Sequence, residues 1–360
     1  MQQEAAATRI ARHHAFWERK PLDRPLVSFQ LHDYFVANRM HASANLRVDK
    51  KKIEPEMLEV DRFLDDYERM YHEACATGQD GFWVAEPFCG MPWMEAIFGC
   101  AIYGTKNSFV SAHCVDSPEG LKHIRFDPDN AWVRKYLEFV DKLTRLSAGR
   151  FPIGQPIMRG ASDIVGAMLG QTEMVFAIYE EPEIVREAYF KVLDGLKRVI
   201  QLQFEATPSF LGGYSMGLYD VWCPEKCIWF QEDLSALLSP QIYTDFLLGP
   251  DASVCDGYNY TAAHLHPASF FIVDSLLQID RLKAIQINKD VGGPSVAEMI
   301  PVFQKVLAKK NLIVFGDLDE AEIDCLMGEL PRIGLFLNIF ATSVERAAQL
   351  MDYVAGKSPN

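Results

Sequence analysis

No stretch of the 360-residue sequence supplies the ~18 consecutive apolar residues that a bilayer-spanning helix needs. A positive charge balance is missing as well. The formal net charge is −14, whereas a nucleic-acid surface requires concentrated Lys and Arg. An anionic small substrate stays compatible with that balance, because a few local arginines override the global field. There is no Gly-rich phosphate loop of the P-loop kind, which argues against nucleotide hydrolysis. No linker rich in Ser, Gly or charge divides the chain, and no repeat shows beyond strand–helix alternation. A single domain over 1–360 is therefore expected. Residues 1–22 would form an N-terminal helical extension and 88–128 a lid-like insertion, since Gly90 and Pro92 interrupt an otherwise apolar run. The polar, helix-prone N-terminus carries no secretory signal. The eight cysteines are accordingly expected to be reduced and the protein soluble and cytoplasmic. Cys223 and Cys227 have the spacing of a zinc half-site but lack a matching second pair, so packing as small hydrophobes is the plainer reading.

What the sequence does contain is a run of short apolar segments, each ending in a polar residue. Eight strands are predicted at about 24–31, 81–86, 151–155, 210–215, 261–266, 283–288, 312–317 and 335–338, separated mostly by helical patterns. That alternation predicts a (β/α)8 TIM barrel, in which chemistry gathers at the carboxyl ends of the strands. The residues there are Asp33, Glu86, Gln155, Tyr214, His264, His266, Asn288, Asp317 and Asn338. Asp and Asn at such places also serve as helix caps, and Asp290, Asp317 and Asp319 carry that plainer reading. The most informative stretch is Thr261–Pro267. Alternate residues of a strand share a face, so His264 and His266 point the same way before Pro267 stops the strand. Two imidazoles so placed make half of a metal site or an acid–base pair.

Several segments together resemble the uroporphyrinogen decarboxylase superfamily, which includes corrinoid-linked methyltransferases. They are Arg24-Pro25-Leu26-Val27, the run 90–100 (Gly-Met-Pro-Trp-Met-Glu-Ala-Ile-Phe-Gly-Cys), 238–246, His264-Leu265-His266-Pro267 and 315–319. The resemblance spans about residues 20–356 and implies the barrel fold. True decarboxylases of the family carry an Arg-Gln-Ala-Gly-Arg element after the first strand. Here the stretch 30–39 retains only Arg39 and adds Asp33, which argues against a porphyrinogen substrate. The zinc methyltransferases of the family hold metal through a His-x-Cys at the fifth strand end and a Cys near the last strand. Here His264 takes the His position, His266 replaces the Cys, and 338–342 contains no Cys. Glu232 and Asp233 are candidates for the missing ligand. A His/His/oxygen set is harder and less thiophilic, and suits activation of an ether or hydroxyl oxygen.

The resemblance thus implies a methyltransferase that moves a methyl group between a small methylated compound, such as an O-methyl compound, and a corrinoid protein. Zinc would be held by His264, His266 and Glu232. Asp317 and Asn288 join the histidines as catalytic candidates, and Asp33, Arg39, Glu86, Trp93, Tyr214 and Asn338 as substrate-binding candidates. A homodimer is one candidate assembly. A second reading is a cofactor-free decarboxylase or lyase, with Arg39 anchoring a carboxylate, Asp317 or Asp33 stabilising a developing cation and a histidine moving the proton. A third is a non-catalytic binding subunit.

Overall fold

The computed structural model describes residues 2–357. Six strands lie side by side, all parallel: β1 (Leu26–Leu31), β2 (Cys227–Gln231), β3 (Tyr260–Leu265), β4 (Ala284–Asn288), β5 (Asn311–Gly316) and β6 (Leu335–Ala341). Their spatial order is β1-β6-β5-β4-β3-β2. All six are apolar runs, buried on both faces along nearly their whole length. That is the pattern a parallel sheet acquires when helices cover it. The covering helices begin where their sequences supply caps. Ser295 and Glu298 form a capping box at Val296–Leu307, and Asp319 accepts from the Glu322 amide at 2.9 Å at the start of Glu320–Glu329.

Continuous ladders join six strands and do not close the sheet into the expected eight-stranded barrel. Between β1 and β2 the ladder gives way to two extended segments held by isolated contacts. The Asp80 and Gly81 amides donate to the Val27 carbonyl, Ala85 bridges Ile153, and Arg159 bridges Gln231. The reason is local. Pro152 and Pro156 have no amide to donate, and Gly154 sits where a Cβ would meet Val84 at 2.5 Å and the Gly217 amide at 2.8 Å.

The expected strand at 210–215 is also corrected. Phe210 bridges Gly213, and Tyr214–Met216 pairs antiparallel with Val221–Cys223 in a small hairpin. Its place in the parallel sheet is taken by Cys227–Gln231. The insertion 88–128 holds a short helix (Trp93–Ile97) and a hairpin (Ile102–Gly104 with Phe109–Ser111), but Phe88, Met91, Trp93 and Met94 are buried core rather than a loose cover. The N-terminal helix, expected within 1–22, runs Gln2–Trp17 and is pinned by Trp17, whose Nε1 donates to the Trp222 carbonyl at 2.8 Å. No helix among the described residues is long and apolar enough to cross a membrane.

Candidate metal centre

Strand register builds the site. Gln231 at the end of β2 lies opposite His264 of β3, and His264 lies opposite Gln286 of β4. In parallel strands such a row of residues presents side chains to the same face. Two residues on, His266 follows His264 on that face, with ring centroids 4.7 Å apart and planes at 83°. Asp233, two residues beyond Gln231, completes the group. Its Oδ1 lies 3.7 Å from His264 Nε2 and 3.8 Å from His266 Nε2. One donor atom from each of Asp233, His264 and His266 lies within 4.8 Å of the others.

Each of the three is held from behind. His264 Nδ1 meets Gln286 Oε1, and His266 Nδ1 lies 2.7 Å from Asp290 Oδ1. An amide oxygen and a carboxylate can only accept, so both Nδ1 atoms carry a proton, and both Nε2 atoms face Asp233. Gln286 is itself oriented by donating Nε2 to Asn288 Oδ1 at 2.7 Å. Asp233 Oδ2 accepts from Gln231 Nε2 at 2.7 Å, leaving Oδ1 toward the histidines. Burial, outweighing the nearby Asp233 charge, lowers the His264 pKa and keeps that imidazole neutral. Two imidazoles held through Nδ1 beside a carboxylate suit a divalent cation of intermediate hardness. The donor set therefore fits a metal.

The surroundings add charge that sequence reading did not find. Arg159 flanks Gln231, and its Nε lies 3.1 Å from Glu95 Oε1. The Glu95 carboxylate raises its pKa first, with Asp163 and Asp233 adding to the effect. Buried Asp163 accepts from the Leu234 amide at 2.8 Å, and burial followed by the Asp233 charge pushes its carboxyl up to about 7. Arg159, Asp163 and Asp233 share a cavity of about 330 Å³ with Phe109, Val110 and Ser111 of the insertion hairpin.

Glu232, the expected ligand, is corrected to a structural role. Its carboxylate accepts from the Ala161 amide at 2.6 Å and the Ser162 amide at 2.9 Å, at the start of the helix Ala161–Leu169. Gly160 makes room, since a Cβ there would meet Glu232 Oε1 at 2.1 Å. The chain leaves the strand at Gln231 and turns into a short 3-10 helix at Asp233, so Glu232 is directed under the Ala161–Leu169 helix and Asp233 toward the histidines.

The other candidates are dispersed. Asn288 joins the centre through Gln286. Asp317 is exposed on the same rim, where its carbonyl accepts from Lys289 Nζ at 2.6 Å. Asn338 lies deeper, fully buried, its amide donating to Ser28 Oγ. Asp33 serves the turn after β1, accepting from the Phe35 amide at 2.8 Å and Asn38 Nδ2 at 3.1 Å. Arg39 and Glu86 line a second cleft with Gln30, Leu218 and Asp220. There burial pushes Glu86 up to about 7 and Asp220 up to about 8, and it lowers the Arg39 pKa. Tyr219 is buried, and burial, with the charges of Asp233 and Glu86, raises its pKa. Trp93, expected to wall the substrate pocket, is core instead: it packs 4.8 Å from Tyr136 and donates to the Ile157 carbonyl at 2.8 Å. Tyr214 packs 5.1 Å from Phe204, which also contacts Tyr258 just ahead of β3, so it belongs to the opposite, amino-terminal end of the sheet.

No family model and no curated protein matches the sequence. Among solved structures, the chain is similar to a methyltransferase from Methanosarcina mazei. The identity is 12%, the alignment covers 96% of this chain and 97% of that one, and the TM-score is 0.66. The two share a fold over nearly their whole lengths.

Proposed function

We propose that this protein is a metal-assisted methyltransferase acting on a small methylated compound. The juxtaposition of His264, His266 and Asp233 carries the reading, and the shared fold with a methyltransferase supports it. In this reading Asp233 Oδ1 and the two Nε2 atoms hold a zinc ion or a similar cation. When bound, such an ion supplies Lewis-acid polarisation of the heteroatom that carries or receives the methyl group. Gln286, Asp290 and Gln231 keep the three donors aimed at one point. Asp163 stores a proton near neutral pH beside Asp233, the two carboxylates both accepting from Gln231 Nε2, at 3.4 and 2.7 Å. Arg159, on the cavity wall, orients an acidic or dipolar group of the substrate. The second methyl-bearing party is a corrinoid protein. Asn288 and Asp317 belong to the rim that it and the substrate approach, with Asp33 in the turn after β1, while Arg39, Glu86 and Asn338 shape the interior beyond.

The deciding experiment pairs metal content with methyl transfer. Protein purified without chelator is expected to retain about one transition-metal ion per chain, and His266→Ala to retain none. With methylated ethers, alcohols or thiols and free cob(I)alamin standing in for the carrier protein, methylcobalamin should form by its visible spectrum. A metal-free wild-type protein with no transfer in either direction would sink the proposal.

A further inference from the structure

Cys100 and Cys114 bring their sulfurs to 3.2 Å across the base of the insertion hairpin, with Cys100 buried and Cys114 exposed. We propose that this pair is a reversible thiol–disulfide site that fixes the hairpin wall of the Asp233 cavity. Both ends of the loop between them are already anchored. The Cys100 amide donates to the Glu95 carbonyl at 3.0 Å, and the Cys114 and Val115 amides both donate to the Met168 carbonyl, at 2.9 and 3.0 Å. The backbones therefore stay in place while the thiols face each other. The intervening strands pair Ile102 with Ser111 and Gly104 with Phe109, and Phe109, Val110 and Ser111 line the cavity beside Arg159 and Asp233.

The two sulfurs are not equivalent. The hydrogen bond from Cys100 lowers the Cys114 pKa, while the same contact and burial raise that of Cys100. An accessible thiolate stabilised by a neighbouring thiol is the attacking partner, and a sheltered thiol behind it is the resolving one. The oxidant is a low-molecular-weight disulfide. The Cys114 thiolate attacks one of its sulfurs and expels one thiolate, leaving a mixed disulfide. Cys100 then loses its proton to that leaving group and attacks the Cys114 sulfur, releasing the second small thiol. Two electrons pass from the cysteine pair to the small disulfide, which is reduced to two thiols. The remaining described thiols offer no such arrangement to solvent: Cys223, Cys227 and Cys255 are buried, while Cys75 and Cys325 are reached singly.

The test uses the full chain in glutathione buffers of stepped redox ratio, quenched by alkylation and mapped by peptide mass spectrometry. The expected product is a single dithiothreitol-reversible link between the peptides holding Cys100 and Cys114. Amide exchange across 102–111 should slow at least several-fold. In Cys100→Ser, the reaction should halt at a glutathione adduct on Cys114, formed at least ten times faster than that on Cys75. Absence of the link in wild-type protein, or a Cys114 adduct no faster than that on Cys75, overturns the redox site. A link that leaves exchange across 102–111 unchanged overturns the fixing of the wall.

Discussion

At the scale of single residues, the two histidines sit in unlike environments, and truncation separates them. His264 is 8% exposed and backed by Gln286, whereas His266 is about a third exposed and backed by Asp290. Replacing His264 by Ala strands a buried amide oxygen and opens a void, an expected cost of about 1–3 kcal/mol. Replacing His266 breaks only a half-exposed pair, an expected cost below about 1 kcal/mol. Thermal melts of both variants in chelator measure this difference, while metal content should fall to background in each. Equal melting temperatures would show that the Gln286 contact is not holding His264. Glu86 gives a pH signature. Its folded carboxyl titrates at about 7, chiefly through burial, against 4.5 in a free chain. Between those values the folded protein keeps a proton that the unfolded chain releases. The Glu86 contribution to stability therefore falls as pH rises through that window, by about 3 kcal/mol once above 7. Glu86→Gln removes the titration, and its stability from pH 4.5 to 7.5, read by urea unfolding, should decline less than that of the wild type.

At the scale of elements, the N-terminal helix carries its own acid sensitivity. His13 is fully buried among Phe82, Trp222 and Phe336, with Nδ1 donating to the Arg9 carbonyl at 2.9 Å. Burial lowers its pKa from 6.5 to about 4. Below pH 6.5 the unfolded chain takes up a proton that the docked helix refuses, so stability falls toward pH 4 by about 3 kcal/mol. His13→Leu should lose less stability than the wild type between pH 7 and pH 4.5. An unchanged acid limb would show that the docked helix admits the proton. Element boundaries also decide how much of the site could be read beforehand. The His264–His266 pair is legible because strand alternation and Pro267 fix both direction and end. Asp233 could be named as an alternative ligand but not chosen over Glu232. The choice depends on Cys227–Gln231 being a strand, and its apolar run is short and flanked by Pro224 and by charged Glu225 and Lys226, and no turn or cap signal marks its end. Phe210-Leu211 looked like a strand start, yet Gly212 and Gly213 turn the chain at once. Arg159, Asp163 and Gln286 left no local mark, since the partners that tie them to the site lie 22 to 72 residues away in sequence and are brought near only by the fold.

At the scale of the whole molecule, the open side of the sheet should be the weak side. β4, β5 and β6 are each paired along their length on both edges, whereas 82–86 and 151–159 hang on isolated bonds. Opening there breaks few hydrogen bonds at a time, so these buried segments should exchange their amides well before β4–β6. Hydrogen exchange with fragment separation measures the order, and uniform protection around the sheet would contradict it. The pairing of β1 with β6 has a further consequence during synthesis. Ser28 and Asn338 touch across 310 residues of chain. At 5–20 residues per second, a ribosome needs roughly 15–60 s to deliver that partner after the first strand has emerged. For that interval Leu26–Leu31 is an apolar strand with an unpaired edge. The nascent chain therefore exposes a bare strand edge, open to mispairing, until the last strand is made.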